Sequence, residues 1–271
     1  MIYTPIIGAL ALAGGTILEK VILMKRKINI RLYQTSSFLA IVLVMIPLLY
    51  FFWNVESAAL QTKNIFIFGL VILFSIVANL FTFYSMKWEK ITTLEPAKIL
   101  EPLFVILLAI GFSFFFEGLY DRNVNVIVPA LIASFALVFS HIKKHHLSFN
   151  KYFIAAIFGS FFFGLELVVS RLILDYYSPI SFYFLRCASI FLISFAAFRP
   201  KFKNIDGTAR KEILVVGIIW VVYRVMIYYG YLSLGVIFTT LIVMLGPMFV
   251  YIFAWKFLHE KLDWRNIVAA V

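Results

Sequence analysis

Residues 236–258 read VIFTTLIVMLGPMFVYIFAWKFL, a run in which Lys256 is the only charged residue. An α-helix needs about 20 predominantly apolar residues to cross the hydrocarbon core of a bilayer, because each residue advances it by about 1.5 Å. This run is long enough to cross once. We therefore predict that it is a transmembrane helix whose solvent is lipid.

Eight other apolar runs of similar length occur, separated by short polar breaks. The nine predicted spans are residues 2–24, 33–53, 64–86, 92–116, 124–142, 152–174, 180–198, 212–233 and 236–258. A tenth begins near Trp264 and the sequence stops at Val271, so we expect a truncated last span. No basic segment precedes the first run, which predicts a retained helix and not a cleaved signal.

The composition agrees with a multi-pass protein of the cell membrane. Of all residues, 63% are hydrophobic and only 14% are charged, against about 25% charged in a typical soluble domain. The net charge of +11 does not indicate nucleic-acid binding, because the basic residues lie in the breaks between apolar runs. Cys187 is the only cysteine, which excludes an internal disulfide and a cysteine-based metal site.

An internal repeat organises the chain. Residues 260–267 read EKLDWRNI and residues 117–124 read EGLYDRNV, so both follow E-x-L-x-x-R-N and then a β-branched residue. A Pro-x-Phe-Val segment precedes each copy, beginning at Pro102 and at Pro247. The two copies are therefore equivalent parts of two related halves.

The first span of each half carries a Leu-Glu pair, which ends at Glu19 and at Glu166. We predict one five-helix repeat over residues 1–147 and a second over 148–271 that is incomplete at its last helix. Because five is odd, the second repeat enters the membrane in the opposite sense. The predicted fold class is an all-α integral membrane protein, a ten-helix transporter of two inverted five-helix repeats.

The basic residues are distributed unevenly between the loops. The odd-numbered loops hold 17 Lys and Arg residues and the even-numbered loops hold 3. Cytoplasmic loops carry an excess of Lys and Arg, so this count places the odd-numbered loops in the cytoplasm and both termini outside.

The repeated Pro-x-Phe-Val helix, the glutamate that follows it and the short loop before the next helix resemble the EamA family of the drug/metabolite transporter superfamily. The resemblance covers nearly the whole chain, including Arg186 early in the seventh span, and is strongest over residues 236–267. The first span, with Gly14, Gly15 and Glu19, also resembles the first helix of the small multidrug resistance transporters. In those transporters a membrane glutamate exchanges protons for substrate.

The resemblance implies a secondary active transporter, most often an exporter, of a small metabolite, amino acid or drug-like solute. It acts by alternating access, and proton coupling is one option for its driving force. A flippase for a lipid-linked substrate is the alternative, since flippase subunits occur in the same superfamily. Ten-helix relatives have both termini in the cytoplasm, which conflicts with the charge count and leaves the orientation open.

The sequence gives no sign of an enzyme, because it contains neither H-E-x-x-H nor G-x-S-x-G. We expect no cofactor and no metal; a basic loop explains His141, His145 and His146. The expected partners are a small-molecule substrate and the lipid bilayer, in a monomer or a homodimer.

Charged side chains inside the spans are the candidates for function, because each costs a few kcal/mol at the centre of a bilayer unless it faces protein or water. Arg224 lies near the middle of the eighth span, where its fork of donors can bind an anionic substrate group. The alternatives are pairing with an internal carboxylate and snorkelling to the interface. Asn79 in the third span aligns with Arg224 when Pro102 and Pro247 are superposed. Polar residues at matching places in both halves predict a shared central cavity.

Glu19 and Glu166 are the candidates for proton coupling. A glutamate in a low-dielectric cavity has a raised proton affinity and can alternate between charged and neutral forms. The alternative is an ion pair near the interface, of Glu19 with Lys20 and of Glu166 with Arg171.

The fourth span carries Glu95, Lys98 and Glu101 at a spacing of three, so their side chains share one helix face. Pro96 and Pro102 follow the two acids and predict a kinked or broken helix in the substrate pathway. The alternative is a helix that begins only at Pro102.

Arg186 completes the predicted substrate pathway. It lies about six residues inside its span, where it can contact substrate or lipid headgroups, but its position favours snorkelling to the interface.

Overall fold

A computed structural model describes residues 3–25, 28–116, 118–120, 123–141 and 150–259. Its helices are α1 (Tyr3–Lys25), α2 (Ile30–Phe52), α3 (Thr62–Trp88), α4 (Ile91–Lys98), α5 (Leu100–Ser113), α6 (Val124–His141), α7 (Lys151–Leu174), α8 (Pro179–Phe198), α9 (Gly207–Leu234), α10 (Val236–Val243) and α11 (Gly246–Leu258). Two short 3₁₀ turns, Ser57–Leu60 and Phe202–Asn204, lie in loops.

The predicted spans match these helices closely. By length and composition, the described chain has eight helices able to cross a membrane, counting α4 with α5 and α10 with α11 as one each. The fifth span is represented by a shorter apolar helix over Val124–Ala136. The predicted tenth span, from Trp264, lies outside the described residues.

Polar residues at the loop boundaries start four of the helices. Asn29, Asn150, Ser178 and Asp206 each accept a hydrogen bond from a backbone N–H in the first turn of α2, α7, α8 and α9. Such caps supply acceptors that the first turn of a helix lacks. Gly235, with φ of 82°, makes the tight turn between α9 and α10, since the left-handed region favours glycine.

Two spans are broken at equivalent places. α4 ends at Lys98, four residues before Pro102, and α10 ends at Val243, four residues before Pro247. A proline lacks the N–H that would bond the carbonyl four residues earlier, and its ring clashes with that carbonyl. The predicted break in the fourth span is therefore present, and the same proline rule produces a matching one in the ninth span. The alternative in which the fourth helix begins at Pro102 is wrong, because α4 begins at Ile91.

The helices form two bundles that each combine both halves of the sequence. The first bundle consists of α3, α4, α5 and α7, with α7 packed on the other three. The second bundle consists of α1, α9, α10 and α11, with α1 packed on the other three. Exchanging the two halves converts one set of contacts into the other, as two inverted repeats require. The domain boundary between residues 147 and 148 lies outside the described residues and stays a prediction.

Close backbone approach tightens the first bundle. A Cβ added to Gly159 of α7 would lie 2.6 Å from Thr82 Oγ1 of α3, so only glycine fits there. Small residues at helix contacts let backbones approach in lipid, where no hydrophobic force drives helices together. α2 and α8 pack on each other beside the two bundles.

The two ends of the molecule differ. At one end, which we call the basic end, α1 is joined to α2 and α3 to α4, and Asn150 Nδ2 donates a 2.9 Å hydrogen bond to Glu89 Oε2. At the other, the bridged end, Val55 and Tyr177 form an antiparallel β-bridge between the α2–α3 and α7–α8 loops. The cavity described next lies between these ends.

Candidate functional site

A cavity of about 110 Å³ lies between the two bundles. That volume holds several water molecules, since one needs about 10–15 Å³ on the same measure. Seven of the eight predicted site residues line it, namely Glu19, Asn79, Glu95, Lys98, Glu101, Arg186 and Arg224. Both broken spans contribute walls, through Pro102 and through Val243 and Pro247.

The eighth residue, Glu166 of α7, lies behind the wall and is fully buried. Its Oε1 is 2.7 Å from Arg186 Nη1, and its Oε2 is 3.2 Å from Arg224 Nη1. The Tyr228 hydroxyl donates to Glu166 Oε1 at 3.1 Å and accepts from Arg186 Nη1 at 2.5 Å. One buried carboxylate therefore binds two arginines and a tyrosine from α8 and α9.

Arg224 is held less tightly than Arg186. Its Nη1 is close to Glu166 but makes no aligned hydrogen bond, whereas Arg186 makes two. The Arg224 guanidinium also lies 5.4 Å from the ring centre of Phe163 and 5.3 Å from that of Tyr223, within reach of cation–π attraction. Arg224 is thus held to Glu166 by charge without an aligned hydrogen bond, and its side chain also lines the cavity.

These contacts decide between the alternatives for the two arginines. Arg224 is paired with an internal carboxylate, as one interpretation from the sequence expected, and it also lines the cavity, so binding of a substrate anion stays a prediction. Snorkelling is wrong for Arg186, which is 2% exposed and bonded to Glu166 in the interior. The pairing of Glu166 with Arg171 is also wrong, because Arg171 binds Asp175 at 2.6 Å.

Glu19 of α1 lies in a different environment. Its Oε1 accepts a 2.9 Å hydrogen bond from Trp220 Nε1 and a 3.2 Å hydrogen bond from the Tyr33 hydroxyl. Both donors are neutral, and the side chain is 4% exposed at the cavity wall. Lys98, on the opposite bundle, interacts with it electrostatically without forming an ion pair at close distance.

Lys20 is bound elsewhere, although it follows Glu19 in sequence. Its Nζ donates to the backbone carbonyls of Met86 and Glu89, at the C-terminal end of α3. Carbonyls at a helix end lack intrahelical partners and attract cations, so this contact ties α1 to the end of α3. The Lys20 ammonium thus stabilises a helix end.

The remaining predicted residues complete the wall. Glu95, Lys98 and Glu101 share the cavity-facing side of α4 and the start of α5, as their spacing predicted. Lys98 is close enough to interact electrostatically with Glu101 as well as Glu19. Asn79 of α3 also lines the cavity, and its amide donates a 2.7 Å hydrogen bond to Ser75 O.

Sequence reasoning missed the aromatic partners. Tyr33, Tyr228 and Trp220 make the hydrogen bonds that orient the two glutamates, but the chain contains 14 Tyr and 5 Trp, so none of them stands out. Aromatic side chains also form much of the lining, namely Phe38, Phe83, Phe163, Tyr183, Trp220 and Tyr223. The site therefore offers apolar surface together with charge.

The cavity wall has balanced charge. It carries three carboxyl groups and three cationic groups, and Glu166 behind it offsets part of the arginine charge. Such a site suits a solute of small net charge with an anionic group and an apolar part. Among the described residues, no group of three His, Cys, Asp or Glu side chains has the arrangement of a metal site.

Comparisons with known proteins agree with this architecture. Residues 150–271 match the model of the EamA-like transporter family, which confirms the resemblance seen in the sequence over that part of the chain. Twenty-six chains of solved structures match the fold. One of them, described only as the crystal structure of a protein, has a TM-score of 0.64 at 16% identity and covers 99% of this chain and 90% of its own. At that identity the likeness concerns the fold alone. No curated protein matches this chain.

Proposed function

We propose that this chain, whose residues 150–271 match the model of the EamA-like transporter family, is a secondary active transporter that exports a small solute by alternating access, driven by protons. The family match and the apolar helices support a multi-pass membrane transporter of the drug/metabolite type in general. The observation that carries the finer proposal is the cavity between the bundles, with the predicted ionisable residues on its wall. The solute is a small metabolite, amino acid or drug-like compound with an anionic group.

Arg224 is the proposed anion-binding residue. Its guanidinium lies on the wall, and its buried Nη1 is held 3.2 Å from Glu166 without an aligned hydrogen bond, so a substrate carboxylate can compete with Glu166 for this arginine. A planar guanidinium binds a carboxylate through two parallel hydrogen bonds, which a lysine ammonium cannot reproduce. The neighbouring rings of Phe163 and Tyr223 accommodate the apolar part of the solute.

Glu19 is the proposed coupling residue. Its partners Tyr33 and Trp220 are neutral, so no arginine fixes its charge as the arginines fix that of Glu166. A carboxyl group at a cavity wall that lacks a close cationic partner can take up and release a proton as water access changes. Alternating access of the two bundles supplies that change.

The proposal is tested in two steps with purified protein. First, a panel of amino acids, organic acids and cationic drugs is screened for an increase in melting temperature, since a ligand of the folded state stabilises it. Compounds that stabilise are then tested for uptake into proteoliposomes with and without an imposed pH gradient. Uptake that is absent for every stabilising compound under both conditions contradicts the proposal.

Variants assign the roles. Arg224→Lys should reduce uptake at least tenfold and Arg224→Ala further, whereas Arg210→Lys, an exposed position of the same helix, should leave it unchanged. Glu19→Gln should abolish accumulation driven by the pH gradient while exchange of bound substrate continues. Glu56→Gln, in an exposed loop, is its control. Wild-type gradient dependence in Glu19→Gln would remove the coupling role.

The flippase alternative has its own outcome. A lipid-linked substrate that is scrambled between leaflets, with no uptake of any soluble compound, would favour it over the transporter.

A further inference from the structure

Four aromatic rings pack in series between the β-bridge of the bridged end and Glu166. Phe68 of α3 stacks on Tyr177 at 6.1 Å between ring centres and meets Phe182 edge-on at 5.7 Å. Phe182 in turn meets Tyr228 edge-on at 5.2 Å. Phe182 and Tyr228 are fully buried, and Tyr177 is 8% exposed. These rings form a continuous layer from the α3 side to the α9 side, which we call the aromatic layer.

The backbone above the aromatic layer is clamped. Glu56 N donates to Tyr176 O at 2.9 Å and Ser178 N donates to Asn54 O at 3.0 Å, on either side of the bridge between Val55 and Tyr177. The two loops come from different halves of the sequence. The bridged end can therefore open only if the α2–α3 and α7–α8 loops separate or move together.

The aromatic layer is bonded directly to the charge cluster below it. Tyr228 contributes its ring to the layer and its hydroxyl to both Glu166 and Arg186. Glu166 belongs to the first bundle and Tyr228 to the second, so their hydrogen bond joins the bundles across the closed end. Arg224 adds a second link between the same two helices.

We propose that Tyr228 is a positioning residue that holds the bridged end shut, and that this end opens when Glu166 releases the Tyr228 hydroxyl. The proposal rests on the alternating access proposed above. A substrate anion that binds Arg224 competes with Glu166 for it. Substrate binding thereby weakens the same cluster that holds the aromatic layer.

The single native cysteine reports on this opening without any known substrate. Cys187 of α8 is fully buried beside Arg186, so a membrane-impermeant maleimide reaches it only when the protein opens. Labelling is measured in vesicles of both orientations, and modification of the Cys187 peptide is counted by mass spectrometry.

Tyr228→Phe removes the hydroxyl and keeps the ring. It should raise the labelling rate of Cys187 from the bridged end about tenfold, since a hydrogen bond to a charged group contributes roughly that factor or more. The rate from the basic end should not rise. Tyr229→Phe, an exposed neighbour on the same helix, should change neither rate.

A cross-link tests the same opening independently. Glu56 and Tyr176 are the neighbouring pair of the same bridge, joined by the hydrogen bond from Glu56 N to Tyr176 O, and Cα atoms of such a pair lie about 5.5 Å apart, which suits a disulfide. Glu56→Cys with Tyr176→Cys, which leaves all four rings of the aromatic layer in place except for the hydroxyl already removed, is added to Tyr228→Phe and oxidised. Labelling of Cys187 from the bridged end should then return to the wild-type rate, and reduction should restore the fast rate.

Three results would overturn the inference. These are an unchanged rate in Tyr228→Phe, a rate raised equally from both ends, and fast labelling that persists after the cross-link forms. All three results concern labelling of Cys187, whereas the proposed function is tested by uptake, so the two can fail independently. Uptake by the wild type with no effect of Tyr228→Phe on labelling would keep the transporter and remove the role of Tyr228. Absence of uptake for every compound, with fast labelling from the bridged end in Tyr228→Phe, would remove the transporter and keep the opening that Tyr228 controls.

Discussion

Glu19 and Glu166 occupy equivalent positions in the first helix of each half, yet their surroundings differ in charge. Glu166 binds Arg186 and lies beside Arg224, so its negative charge is matched on two sides. Glu19 accepts hydrogen bonds from Trp220 and Tyr33, which carry no charge. A repeat can thus place the same acid twice in different surroundings, once as a counter-ion to two arginines and once, as we propose for Glu19, as a group that changes its protonation.

The largest expected difference between the two glutamates is in how much their substitution lowers the stability of the protein. Glu166→Gln leaves two buried arginines without their carboxylate, and breaking a buried ion pair costs about 3–5 kcal/mol. Glu19→Gln keeps an oxygen acceptor for both donors and should cost about 1 kcal/mol or less. Thermal melting in detergent should therefore show a fall of roughly 6–15 °C for the first variant and a few degrees at most for the second. Equal melting temperatures would remove the distinction between the two acids.

Substitution of the tyrosine partner of each glutamate should destabilise the protein with a different dependence on pH. Tyr33→Phe removes a hydrogen bond to Glu19, whose charge we expect to change with pH. The loss of stability should be about 1 kcal/mol at acidic pH, where Glu19 is neutral. It should be about 1.5–3 kcal/mol at alkaline pH, where the carboxylate is present. Tyr228→Phe removes a bond to an acid held between arginines, and its loss should not vary with pH. Melting curves of both variants across a pH series test this, and a pH-independent loss in Tyr33→Phe would contradict it.

Lys20 gives a third difference between the halves, because its counterpart after Glu166 is the apolar Leu167. Lys20→Leu makes the first half resemble the second and should cost about 1–3 kcal/mol, since the carbonyls at the end of α3 lose a charged donor. The effect is measured by thermal melting, with Lys63→Leu at an exposed position as the control. A variant as stable as wild type would show that the α3 carbonyls do not depend on Lys20.

The smallest effect is expected at Asp175. Its ion pair with Arg171 is partly exposed and spans one helical turn, so Asp175→Asn should change stability by about 0.5 kcal/mol or less. This variant checks the assignment of partners. A loss comparable to that of Glu166→Gln would mean that Arg171 supports Glu166 after all.

The sequence predicted the spans and the cavity residues for a simple reason. Charge inside lipid is costly, so Arg224, Glu19 and Lys98 stood out against their apolar neighbours. Proline chemistry likewise predicted the break before Pro102.

The partners could not be predicted in the same way. Glu166 meets Arg186 and Arg224 only because three helices converge, and no spacing along the chain reveals that. Arg186 illustrates the limit, since its position in the span favoured snorkelling, whereas it is buried and bonded to Glu166. Packing across the two halves decided between them.

The mixed composition of the two bundles has a consequence for how this protein is made. α3 packs on α7, and α1 packs on α9, so these two helices of the first half find their main neighbours in the second. During synthesis, α1 and α3 enter the membrane well before those neighbours exist. The polar faces that later form the cavity must therefore meet lipid or one another in the nascent chain, and only the arrival of α7 and α9 lets either bundle assemble.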